Sequence, residues 1–93
     1  MTTVQARVRE IFDREGFDII VKSNRTQKPV KVRKNGVLGT YPFRRKASGN
    51  TTVADWRRDR FEATYPGFTC DVLKEDGKLA HGRTSLQTVR DDY

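Results

Sequence analysis

The chain has one cysteine, Cys70, and one histidine, His81, among 93 residues. A lone thiol excludes an internal disulfide framework, and with a lone imidazole it excludes any metal site built from several such ligands. A bridge-free domain of this size suits a reducing compartment, so a cytoplasmic location is expected. No apolar run approaches the roughly 20 residues of a membrane helix. Met1 leads into Thr2, Thr3, Val4 and Gln5 rather than an apolar leader, so neither a membrane partner nor a signal segment is expected. Zinc-finger spacing, a glycine-rich phosphate loop and an RNA-binding aromatic motif are also missing. Without a metal site, a cofactor motif or a paired-carboxylate arrangement, the expectation is a non-enzymatic protein with no cofactor.

Acid is missing from one long stretch. Asp18 and Asp55 are consecutive carboxylates, and the 36 residues between them hold nine bases: Lys22, Arg25, Lys28, Lys31, Arg33, Lys34, Arg44, Arg45 and Lys46. The whole chain carries +7, yet outside this stretch acids outnumber bases, twelve to ten. All the excess charge therefore lies in one segment, which focuses potential on an anionic partner. Apolar residues are few: Leu, Ile, Val and Phe total 21. That is just above the roughly 20% below which chains stay disordered. A lean core and 93 residues fit a single domain over residues 1–93.

The pattern predicts a helix over residues 4–15, from Val4, Val8, Ile11 and Phe12, with Thr2 and Gln5 as a capping box and Gly16 as its stop. A strand follows near residues 17–22. Asn35-Gly36 is the preferred pair for a two-residue hairpin turn, predicting a hairpin over residues 30–43. Its apolar side would hold Val30, Val32, Tyr41 and Phe43, while Lys31, Arg33, Leu38 and Thr40 share the other. A second helix starts at Thr51 or Thr52, carries Val53, Trp56, Phe61 and Tyr65 on one face, and stops at Tyr65-Pro66-Gly67. A second hairpin is expected over residues 68–84, with Gly77 in the left-handed position and Asp71 facing His81. Thr84 and Gln87 would cap a short last helix over residues 84–93, with a final strand as the competing reading. Gly16-Phe17 and Gly67-Phe68 hint at two similar units, but the flanking side chains do not otherwise match, and no repeat is read. The expected fold is a small α+β two-layer domain. Its antiparallel sheet is made of two hairpins, with two main helices on one face and a short C-terminal helix.

The functional residues expected are Arg25, Lys28, Lys31, Arg33, Arg44, Arg45, Lys46 and Arg57. Lys31 and Arg33 alternate outward on a ribbon of the width a nucleic-acid groove admits. Arg44, Arg45 and Lys46 follow in a small-residue loop, with Arg25 and Lys28 on the preceding loop, and all suit phosphate contact. Arg57 lies beside Trp56, an aromatic that reads as a core anchor, as Tyr41 and Phe43 do. Cys70 beside Phe68 and Val72 reads as a small buried hydrophobe, not a nucleophile. The expected function is nucleic-acid binding, DNA or RNA, through the phosphate backbone. The alternative is a protein-interaction module, such as an inhibitor or assembly subunit of the kind viruses encode, docking the same patch on an acidic protein. The strand–strand–strand–helix order from Phe17 to Tyr65 resembles that of small DNA-binding domains that lay a three-stranded sheet in the major groove. It shares order only, with no diagnostic residues.

Overall fold

The first helix begins where Thr3 turns its hydroxyl to the Ala6 N–H at 3.1 Å. In the computed structural model, which describes residues 2–93, helix α1 spans Val4–Glu15 and strand β1 spans Asp18–Ser23. Helix α2 (Val53–Trp56) runs directly into a π-helical stretch (Arg57–Glu62), followed by β2 (Phe68–Leu73) and α3 (Leu86–Asp91). The result is a small α+β domain with three helices and a two-stranded antiparallel sheet among the described residues. Ile19, Val21, Cys70 and Val72 share one face of that sheet and pack into a core with Val4, Ile11, Phe17, Trp56, Phe61, Leu86 and Val89. Phe17 meets Trp56 edge to face at 4.9 Å between ring centroids.

The sheet is not built from two hairpins. β1 pairs with β2 across the chain, from Asp18 opposite Leu73 to Ser23 opposite Phe68. The hairpin expected over residues 30–43 does not form, and neither does the three-stranded order the sequence suggested. The reason lies at the start of α1, whose first amides lack partners inside the helix. Val4 N–H donates to the Lys34 carbonyl and Gln5 N–H to the Val32 carbonyl, both at 2.9 Å, and Gly36 N–H donates to Thr2. Asn35 thus pairs with Thr3 instead of turning a hairpin, although Gly36 does adopt a positive φ of 72°. Leu38, expected on the polar side, is buried, while Val32, expected to pack, is 54% exposed. Of the second hairpin, one bridge remains, Leu73 to Leu79, with Gly77 left-handed at φ 83° as expected. Cap positions shift by one residue as well: Thr3 replaces Thr2, and Ser85 replaces Thr84.

The fold contains an internal two-fold repeat that was not read in the sequence. Thr3 pairs with Asn35, and Thr52 pairs with Ser85. Val4 and Gln5 donate to Lys34 and Val32; Val53 and Ala54 donate to Thr84 and Gly82 at the same 2.9 Å. Ser23 N–H closes on Lys28 and Lys74 N–H on Lys78; Val30 N–H donates to Val21 and Ala80 N–H to Val72. Gly16 caps α1 and Gly67 ends the turn between the second helix and β2, both at φ 90° and each directly before a phenylalanine. The pair Ile20 and Asp71, facing each other at the middle of the sheet, marks where the axis passes. An antiparallel pair is itself two-fold symmetric about such a point.

The halves differ in their helices. Between cap and glycine the second segment is longer than the first, Thr52 to Gly67 against Thr3 to Gly16, although each helix itself counts twelve residues. The π-helical stretch absorbs extra chain, since a wider turn accommodates an inserted residue without ending the helix. Buried positions then run Val53, Trp56, Phe61 and Tyr65, against Val4, Arg7, Ile11 and Glu15 in α1. The wide turn keeps Trp56 and Phe61 both in the core although five positions separate them.

Candidate functional site

Four bases of the acid-free segment surround one depression. Lys28, Lys31, Arg33 and Lys34 line an open basin of about 610 Å³ together with the hydroxyl residues Ser23 and Thr26. No carboxylate lines it. The basin exists because the chain after β1 turns back, pairs Pro29 with Lys22, and then crosses the N-terminus of α1. Lys28, Lys31, Arg33 and Lys34 are all exposed, and none has an ion-pair partner among the described residues. Arg25 is exposed on the adjoining turn of residues 24–26. Lys22 differs: its ammonium pairs with Asp71 across the sheet, so it adds no free charge.

Arg44, Arg45 and Lys46 lie on the segment that joins the two halves, and all three are exposed. Their backbone is held from beneath. Arg14 donates to the Phe43 carbonyl. Arg60 donates to the Arg45 carbonyl at 2.6 Å and lies over the Phe43 ring, 4.4 Å from its centroid. Ala47 donates its N–H to Glu15 at 2.8 Å and accepts from Arg90 at 2.8 Å. Glu15 is the hub: fully buried, it accepts from Tyr41 at 2.5 Å, Arg60 at 2.9 Å and Arg90 at 3.1 Å. A buried carboxylate persists only when its charge and lone pairs are met in this way. Burial, and then the adjacent Glu15, push the Tyr41 phenol well above its ordinary range, so Tyr41 is the donor.

Arg57, expected among the contact residues, is half-buried and turns to the β2 backbone, donating to the Cys70 carbonyl at 3.3 Å. Arg58 is engaged by Asp55 at 3.3 Å and Asp59 at 2.8 Å. Asp71 sits opposite Ile20 on one edge of β2 and its carboxylate engages Lys22, with no bond to His81 among the described residues; His81 is exposed with Nδ1 accepting from the Arg83 N–H at 3.1 Å. Cys70 is buried, which raises its pKa and keeps it a thiol.

Sequence reasoning missed Lys34 as a basin residue, because two positions after Val32 it falls on the packing side of the expected hairpin. It also missed the Glu15 hub. The signal was present: Glu15 falls one turn after Ile11, on the apolar stripe of α1, where a carboxylate needs a buried partner. No helix among the described residues is long and apolar enough to cross a membrane. Comparison with known proteins gives no family model, no curated protein and no solved structure that matches the chain.

Proposed function

We propose that this protein is a small non-enzymatic nucleic-acid-binding protein of the cytoplasm that grips the phosphate backbone. The observation that carries the reading is the basin of Lys28, Lys31, Arg33 and Lys34, open, free of carboxylates and flanked by hydroxyls. Unpaired cations beside small hydroxyl donors suit phosphate oxygens of DNA or RNA. Arg44, Arg45 and Lys46 add a second run of cations on a backbone immobilised by Glu15, Arg60 and Arg90. A fixed backbone lowers the entropy lost when side chains engage a ligand. Arg25 extends the patch, whereas Arg57 contributes little while it holds the Cys70 carbonyl.

Binding to random-sequence probes, followed by fluorescence anisotropy across a salt series, tests the reading. Seven phosphates neutralised by Lys28, Lys31, Arg33, Lys34, Arg44, Arg45 and Lys46 on a duplex contribute roughly −6.3 to the log–log slope. A slope near zero, or no binding at low salt, rejects it.

One observation favours a second reading, an acidic protein partner. Pro29 and Val30 line the basic basin and also an apolar groove of about 660 Å³ between α1 and β1. A partner with acidic and apolar side chains would engage both. A pull-down that survives nuclease and is lost when Arg44, Arg45 and Lys46 are neutralised supports this reading against the first.

A further inference from the structure

We infer that the chain carries a second phosphate-contacting set, Lys78, His81 and Arg83, and that the two sets together fit a nucleic-acid duplex rather than a single strand. The inference rests on the nucleic-acid reading above and specifies its ligand.

The internal two-fold repeat brings these residues into correspondence with the basin. Lys28 and Lys78 offer the carbonyls that close their loops, to Ser23 N–H at 3.0 Å and Lys74 N–H at 2.8 Å. Lys31 and His81 offer carbonyls to Lys34 N–H at 3.1 Å and Thr84 N–H at 2.9 Å. Arg33 and Arg83 follow two positions later, each just after a carbonyl that accepts from a helix amide, Val32 from Gln5 and Gly82 from Ala54. Both stretches are therefore anchored by the same backbone bonds at the outer side of their strand. Five cations and one imidazole occupy the six matched positions, all of them exposed. None has an ion-pair partner among the described residues. In neutral His81, with Nδ1 accepting from Arg83, the proton sits on Nε2, which is left as a donor.

Two-fold symmetry in a protein matches two-fold symmetry in its site. The two antiparallel backbones of any duplex are related by axes perpendicular to its length, so two cation sets related by one axis can each meet one strand. The longest extent of the domain, 32 Å, is close to a single turn of duplex, about 34 Å. A single strand has no second backbone for the second set. The symmetry is imperfect in charge: Glu75 and Asp76 occupy the second loop, where the first has Arg25 and Thr26. The first set therefore supplies more of the affinity, and the second supplies the preference for duplex.

The test compares the unaltered protein, Lys78→Gln with Arg83→Gln, and Lys28→Gln with Lys31→Gln and Arg33→Gln. Each is titrated by fluorescence anisotropy into a random-sequence duplex and into its separate strands across a salt series. The expected result is that the Lys78/Arg83 variant binds duplex more weakly, with a log–log salt slope shallower by about 1.8. Its binding to the single strands stays within about twofold of the unaltered protein. Circular dichroism confirms an unchanged fold, as expected for exposed side chains. Duplex binding and slope unchanged in this variant, while the Lys28/Lys31/Arg33 variant is impaired, overturns the second set and leaves the broader reading standing. Equal losses on duplex and single strands overturn the duplex preference. Failure of the unaltered protein to bind either probe overturns the nucleic-acid reading itself.

Discussion

The buried carboxylate of Glu15 accepts the backbone N–H of Ala47 at 2.8 Å, joining the last turn of α1 to the segment that links the two halves. Arg60 and Arg90 converge on the same carboxylate from the second helix and from α3. Removing Glu15 leaves two arginines without their counter-charge and releases the support beneath Arg44, Arg45 and Lys46. Glu15→Ala is expected to lose about 3–5 kcal/mol, the usual cost of breaking a buried ion pair. Urea unfolding checks this; a loss below about 1 kcal/mol would show that water replaces the carboxylate.

Arg44→Gln, Arg45→Gln and Lys46→Gln together should leave stability within about 0.5 kcal/mol, because these side chains are exposed. On a duplex the same variant should flatten the salt slope by about 2.7. An unchanged slope would remove this segment from the interface.

Gln27 holds a positive φ of 58°, at the position matched by Gly77 in the second loop. A residue with a Cβ costs about 1–2 kcal/mol in that conformation. Gln27→Gly should therefore stabilise the fold by about 0.5–1 kcal/mol, after the greater freedom of glycine in the unfolded chain is offset. Thermal unfolding decides it, and destabilisation would show that the Gln27 side-chain bond to the Asn24 carbonyl outweighs the strain.

The Tyr65 hydroxyl is buried with no hydrogen-bond partner, and burial pushes its pKa up to about 12. The unfolded chain ionises near pH 10, the folded one near 12, so the folded state binds more protons between them and stability falls as pH rises through that window. Tyr41 and Tyr93 are raised in the same direction, chiefly by burial. Tyr65→Phe should stabilise the neutral protein by about 1 kcal/mol and reduce the alkaline loss. Denaturant titrations at neutral pH and at pH above 10 measure both, and an undiminished alkaline loss in the variant would assign it to the other tyrosines.

Features set by a few neighbouring residues can be read without the fold. The α1 stripe, Gly16 as a helix stop, a cap at Thr51 or Thr52, Gly77 in a left-handed turn and the acid-free run from Asp18 to Asp55 were all legible. Each follows from steric limits or spacing within one or two turns of chain. The repeat left a trace too, in Thr2-Thr3-Val4 and Thr51-Thr52-Val53 ahead of the two Gly-Phe pairs. Side chains differ between the halves, so the repeat shows mainly in backbone bonds. Tertiary structure decided what Asn35-Gly36 does, which strand β1 pairs with, and why Glu15 can sit in the core. In each case a local preference worth about a kilocalorie competed with distant unsatisfied groups. The open amides of α1 claimed the chain that would have formed a hairpin, and a carboxylate on an apolar stripe found its partners up to 75 residues away.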